Sequence, residues 1–268
     1  MATAEAQMEL STKLAPSTVA IAKRGILKFL RTPQLVVLGT IQGAMFLLIF
    51  RYVFGGAIGV EGVSYVDFLV PGFIATSVLF IRMNAATGVA EDLQQGLIDR
   101  LRSMPIPRSA ILGGRALADS AELVWGLAIT TAVGFAVGFR IHGSVAEALA
   151  AFGLLLAFGF AVEWLFIALG TLAGNPQAAQ GFALLVFPLT FVSSAYVPVE
   201  TMPRWMQSFA NNQPITYLVD AVRALTLGDS ANQLLAHSAG WYVVRSLLWA
   251  AGIVAVFAPL AVMRFRRS

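Results

Sequence analysis

The sequence predicts an all-α integral membrane protein: one bundle of six transmembrane helices, with an N-terminal interfacial helix, a short amphipathic helix on the cytoplasmic side and outer re-entrant helices. Three observations carry that expectation. Of the 268 residues, 58% are hydrophobic and 12% charged, whereas a soluble domain carries about 25% charged residues. Six largely apolar runs (34–54, 68–90, 116–139, 148–173, 177–197 and 241–263) each reach the length needed to cross the bilayer, about 20 residues for a ~30 Å hydrocarbon core. The basic residues sort to one side of such a bundle. None of the runs alternates in the ~10-residue segments of a membrane β-barrel, and no remaining stretch reaches the ~100 residues of a soluble catalytic domain. Residues 1–268 therefore read as a single transmembrane domain.

Ahead of the first run, Pro16-Ser17 and Pro33 bracket helix-start and helix-stop signals. On a helical wheel Val19, Ala22, Ile26, Phe29 and Leu30 share a face, Arg24, Lys28 and Arg31 lie opposite, and Lys23 sits at the boundary. This pattern predicts a helix over 17–32 lying on the inner membrane surface. The first 33 residues lack the apolar core of a cleavable signal peptide, so the run at 34–54 is expected to act as an uncleaved insertion signal.

Between the second and third runs lies EDLQQGLIDRLRSMPIPRSAILGGR, residues 91–115, with four basic and three acidic residues. Leu93, Leu97, Leu101 and Met104 fall on one narrow helical face, and Glu91, Asp92, Gln94, Gln95, Asp99 and Arg102 occupy the rest, with Arg100 at the flank. A short amphipathic helix over 91–105 is expected, ended by Pro105 and Pro107 because proline lacks the amide hydrogen and clashes with the preceding turn.

The fourth and fifth runs are joined by little more than Gly174-Asn175-Pro176, which predicts a tight helical hairpin. Pro188, near the middle of the fifth, predicts a kink that serves either as a gating hinge or as a fixed bend. The long segment 198–240 contains two helical patterns, at 202–210 and 214–227, anchored by Trp205, Met206, Phe209, Tyr217, Leu218 and Leu225. Fourteen residues from Pro214 reach only about 21 Å, too short to cross. They are expected to re-enter or lie flat, with Asp220 and Arg223 spaced to pair.

Twelve of the eighteen basic residues precede the first run or follow the second and sixth. If the spans alternate, all twelve share a side, and the positive-inside rule makes that side cytoplasmic. The expectation is a multi-pass protein of the plasma (inner) membrane with both termini inside. The sequence pI near 9.8 then reflects membrane topology and contact with lipid rather than with nucleic acid.

Two charges are costly to place in lipid, Arg82 in the second run and Glu163 in the fourth, at about 2.5–3.5 kcal/mol each on insertion scales. They sit at similar predicted depth, which suggests a buried ion pair with Glu122 of the third run as the competing partner.

Catalytic constellations are scarce. There is no cysteine, His142 and His237 fall in predicted outer loops, and no zinc-binding His-Glu-x-x-His, no phosphate-binding Gly-x-x-x-x-Gly-Lys-Ser/Thr and no Gly-x-Ser-x-Gly elbow is present. No metal site or bound cofactor is expected, and any ATP hydrolysis must come from another chain.

Several ordered motifs, YVFGGAI (52–58), LVPG (69–72), GLIDRLRSMPI (96–106), FPLTFVSSAYVP (187–198), TMPRWMQSFANNQP (201–214) and AVRAL (221–225), resemble the permease subunits of type-2 ATP-binding-cassette exporters, most closely the daunorubicin-resistance permeases. The resemblance spans nearly the whole chain. It implies a six-span subunit that pairs with a second permease subunit, as a homodimer, and binds two copies of a separate ATPase that holds ATP and Mg. It assigns Glu91, Asp92, Asp99, Arg100 and Arg102 to a coupling helix touching that ATPase. It assigns Trp205, Pro214, Asp220 and Arg223 to an outer gate. One departure is Asn211-Asn212-Gln213-Pro214, where relatives often have Asn directly before Pro. The function implied is export of amphipathic drugs, lipids or related compounds. Two alternatives compete: an ion-coupled secondary transporter using Glu163, which lacks an inverted repeat between the two halves, and an intramembrane lipid-modifying enzyme with Glu163 or Glu122 as acid or base, which lacks a nucleophile or metal set.

Overall fold

The computed structural model describes residues 2–31, 43–60, 62–96 and 108–267, and among them there is no strand. Helix α1 is Ala2–Leu30, longer than the expected 17–32. It packs along α4, Arg108–Ala136, through small residues: Gly25 faces the Ala118 methyl group, and Gly114 faces Ile21 and the Thr18 carbonyl. Ala22 is buried, whereas Val19 and Leu30, on the expected apolar face, are about 60% exposed (61% and 58%), and the Gly25 side of the helix makes the close approach to α4.

The second described helix, α2, is Gly43–Phe54. Its last turn, Phe50–Phe54, is π-helical. The rest of the first expected span, 34–42, lies outside the described residues.

Helix α3, Tyr65–Gln94, is the axis of the bundle. Ser64 starts it by accepting the Asp67 amide hydrogen at 3.2 Å, the usual N-cap arrangement. It is buried nearly all round from Tyr65 to Leu79, which is why its sequence is apolar without a helical stripe. Gly96, at φ +64, turns the chain after it. Glu91 and Asp92 thus belong to the last turn of α3, and the remainder of the expected coupling helix, with Asp99, Arg100 and Arg102, lies outside the described residues.

Helix α5, Val145–Ala173, begins in a capping box between Ser144 and Glu147 and ends at left-handed Gly174. Asn175 then caps α6, Pro176–Leu184, by accepting the Ala178 amide hydrogen at 2.8 Å. Four helices among the described residues are long and apolar enough to span a membrane: α3, the Gly114–Ala136 part of α4, α5 and α10, Ala239–Arg267.

The expected continuous helix over 177–197 is broken. After α6 the chain tightens and restarts as α7, Phe187–Phe191, with Pro188 in its first turn. It leaves helical geometry at Val192, φ −87 and ψ 52. Proline cannot continue the i→i−4 ladder from the preceding helix, and the carbonyls left free where α7 ends find side-chain donors instead. The Gln213 amide donates to the Leu189 carbonyl at 3.0 Å and to that of Val192, and the Ser193 hydroxyl donates to the Thr190 carbonyl at 2.5 Å. Substitute donors of this kind are what permit a broken helix at membrane depth.

Helices α8, Arg204–Asn212, and α9, Pro214–Leu227, form a hairpin. Its turn reaches into the bundle, since Gln213 meets Leu189 and Val192. Its far end returns to the α4–α5 connection, where Thr226 accepts the amide hydrogens of His142 and Gly143 at 2.9 and 3.1 Å. Every residue of α9 from Ile215 to Leu227 is buried.

Helices α3 and α5 approach closely where Gly170 faces the Ala86 backbone. A methyl group there would overlap the Ala86 carbonyl, which is backbone and cannot rotate away. Gly170→Ala is expected to destabilise the protein by about 1–3 kcal/mol. Gly153→Ala, in the same helix with open space around it, should be neutral or stabilising by helix propensity. Thermal unfolding of the two purified variants checks the contrast, and equal midpoints would refute it.

Candidate functional site

Two buried polar clusters lie at different depths along α3. The first joins α3, α4 and α5. Arg82 Nη1 lies 3.6 Å from Glu163 Oε2, with both side chains 2% exposed, and the same nitrogen donates to the Asp119 carbonyl at 2.8 Å. Beside the pair, Gly159 on α5 lets Leu123 and Val78 pack closely, since a side chain there would overlap both. At that distance Glu163 accepts no hydrogen bond from Arg82, so the contact between them is a through-space ion pair. Such a pair is costly to desolvate and costlier still to break.

Glu122 lies in the field of Arg82 and Arg115, but the ion pair of Arg82 is with Glu163. The Glu122 carboxylate is hydrogen-bonded by Asn84. The group beside the pair that sequence reasoning missed is Asp119. Its side chain adjoins Glu163 and lies 3.4 Å from Arg115 Nε. Arg115 in turn pairs with Asp92 in the last turn of α3, its guanidinium seated over Gly88. An available signal was the i,i+4 spacing of Arg115 and Asp119, which places both on one face of a helix that is otherwise largely apolar.

The result is a ladder, Asp92–Arg115–Asp119–Glu163–Arg82. It runs from the end of α3 toward its middle, a distance of about 15 Å for ten residues at 1.5 Å each. Counting Glu122, four carboxylates face two guanidiniums. Of the five residues assigned to coupling, Asp92 therefore points back into the bundle, Glu91 is half-buried beside it, and Asp99, Arg100 and Arg102 lie outside the described residues.

The second cluster sits where α9 crosses the start of α3. Arg223 Nη1 donates to Asp220 at 2.9 Å, Nη2 to the carbonyls of Phe68 at 2.9 Å and Ser194 at 3.0 Å, and Nε to Phe68 at 3.2 Å. Its guanidinium carbon lies 4.0 Å from the centroid of the Phe68 ring, a cation–π contact. The Ser194 hydroxyl donates to Asp220 at 2.8 Å. Each charge has several partners, and the cluster fastens α9, α3 and the segment after α7 together.

The remaining candidate residues are dispersed. Trp205, on α8, is 77% exposed. Pro214 occupies the first turn of α9, and Pro188 marks the restart after the break in the fifth span. The structure brings Asp220 and Arg223 together and leaves Trp205 apart from them.

Residues 16–227 match the family described as ABC-2 type transporter. The chain is 35% identical over 246 residues to the daunorubicin resistance ABC transporter permease protein DrrB1 of Streptomyces coeruleorubidus, covering 91% of this chain and 84% of that protein. It is 25% identical over 190 residues to the probable doxorubicin resistance ABC transporter permease protein DrrC of Mycobacterium tuberculosis, covering 69% and 66% of the two chains. It is 28% identical over 208 residues to the inner membrane transport permease YadH of Escherichia coli, covering 73% and 76%.

Proposed function

The chain belongs to the ABC-2 type transporter family and is an exporter permease embedded in the membrane, and from that premise we propose how it is powered, oriented and loaded. It is half of a homodimer driven by two copies of a separate ATPase subunit, which carries the ATP and Mg while this chain binds no cofactor. The bundle has six spans, α2 completed by 34–42 as the first and the broken pair α6–α7 as the fifth. Both termini and the segment 97–107 face the cytoplasm, a reading supported by the placement of the basic residues. The α8–α9 hairpin enters the bilayer from the outer side and forms the outer gate with Trp205, Pro214, Asp220 and Arg223. The cargo is an amphipathic or hydrophobic compound, in keeping with the daunorubicin and doxorubicin resistance permeases among the relatives.

One observation carries the coupling scheme. The last turn of α3, which leads directly into 97–107, is tied through Asp92, Arg115 and Asp119 to the buried Arg82–Glu163 pair. A push on that segment by a moving ATPase therefore reaches charged groups inside the bilayer through short contacts between helices, without a large rearrangement of the apolar core. Pro188 supplies the hinge in the fifth span.

The test is the double charge reversal Asp99→Lys with Arg102→Glu. Membrane insertion and yield should match the wild type, while cargo-stimulated ATP hydrolysis and export should both fall to background. Wild-type export by the double variant would refute the coupling assignment.

A further inference from the structure

Beneath the turn of the α8–α9 hairpin lies an apolar cleft of about 370 Å³, within the 300–1,000 Å³ range typical of small-molecule sites. Its depth follows from the helices that wall it. Leu79 is the fifteenth residue of the thirty in α3, Phe158 the fourteenth of twenty-nine in α5, and Ile253 the fifteenth of twenty-nine in α10. Three helices of spanning length thus meet the cleft at their midpoints, which places it at the centre of the bilayer.

The floor is fully buried, with Phe158, Val162 and Ile215 all at 3% exposure or less. The rim is open: Leu189, Phe209 and Trp249 are 38–50% exposed. The opening faces sideways between α7 and α10, toward the same surroundings as the exposed Leu248 and Val256 of α10. Val186 and Leu189, at the break in the fifth span, form part of the cleft wall.

The two side-chain amide donors at the roof already have partners within the protein. The Asn212 amide donates to the Ser208 carbonyl at 2.8 Å, and the Gln213 amide to the carbonyls of Leu189 and Val192. An amphipathic compound would bring a head group to a site with no charge to receive it. Hydrocarbon brings none, and at this depth hydrocarbon chains are the surrounding solvent.

We propose that this cleft binds one acyl chain of a membrane phospholipid, inserted sideways by its methyl end beneath the Asn212–Pro214 turn. The chain fills the space under the hairpin and supports the turn from below.

The test uses the full chain in bilayers of phosphatidylcholine carrying a photoactivatable diazirine either near the methyl end of the acyl chain or beside the glycerol, with adducts mapped by peptide mass spectrometry. The methyl-end probe should label Phe158 and Val162, which are otherwise inaccessible, several-fold more than the glycerol-end probe does. Ile253→Trp, which fills the cleft from its half-buried rim, should remove those adducts while leaving labelling at Leu248 and Val256 unchanged. Absence of floor adducts with either probe, or floor adducts that persist in Ile253→Trp, would overturn the assignment. Floor adducts erased by added daunorubicin would give the cleft to the cargo instead of a lipid and equally overturn it. None of these readouts requires ATP or transport, so the outcome is independent of the coupling scheme.

Discussion

Arg223→Ala is expected to abolish accumulation of folded protein. The guanidinium satisfies the Phe68 and Ser194 carbonyls and the Asp220 carboxylate, all among buried residues. Truncation would leave Asp220 as a buried charge without its counter-ion and would remove the donor to the Ser194 carbonyl and the second donor to that of Phe68. Breaking a buried pair by removing one partner costs about 3–5 kcal/mol, a large share of the 5–15 kcal/mol that typically holds a domain together. Arg223→Lys should recover little, because an ammonium cannot reproduce the planar fork that reaches three acceptors while lying over the Phe68 ring. Asp220→Asn should be milder, since an amide oxygen still accepts from Ser194 and Arg223. Yield of monodisperse protein by size-exclusion chromatography and the midpoint of thermal unfolding measure the series. A wild-type midpoint for Arg223→Ala would show that the cluster does not hold the hairpin to α3.

The second large effect concerns Arg82 and Glu163. Glu163→Ala alone strands a guanidinium in the bilayer at an expected cost of about 3–5 kcal/mol, and the variant should be poorly recovered from membranes. Arg82→Met combined with Glu163→Leu removes both charges at similar volume, and apolar replacement of a buried pair is often neutral or stabilising. The double variant should therefore fold. If the ladder transmits motion from 97–107, the folded double variant will be inactive in export. Export at the wild-type rate would reduce the pair to a structural role, and failure of the double variant to fold would contradict the pairing itself.

What the sequence made legible follows from the range of the interactions involved. Helices α3, α5 and α10 were readable because each is a long apolar run whose backbone satisfies itself, so length and hydropathy are sufficient. The Arg82–Glu163 pairing was approachable because an isolated charge in lipid demands a partner and few candidates existed at that depth. The identity of the link between the pair and the end of α3 was not, because Arg115 looked like a loop charge and Asp119 fell inside a run read as merely apolar. The break in the fifth span was only half visible: Pro188 signalled a disturbance, but the chain departs from helix because Gln213, from a distant turn, supplies the Leu189 and Val192 carbonyls with donors. The same holds for Arg223, whose i,i+3 spacing to Asp220 was evident and whose attachment to Phe68 and Ser194 depends on tertiary contact. On α1 the wheel showed the apolar face, whereas the close approach of Gly25 to α4, and of Gly114 on α4 to α1, depends on tertiary contact.

The most direct test of the central claim is cargo efflux from proteoliposomes containing this chain with its partner ATPase subunit, loaded with daunorubicin and followed by fluorescence. ATP-dependent efflux that vanishes when the ATPase subunit is omitted, accompanied by cargo-stimulated ATP hydrolysis, is the expected result. Efflux by this chain alone, driven by a proton or sodium gradient and abolished by Glu163→Gln, would contradict it and make the protein an ion-coupled transporter.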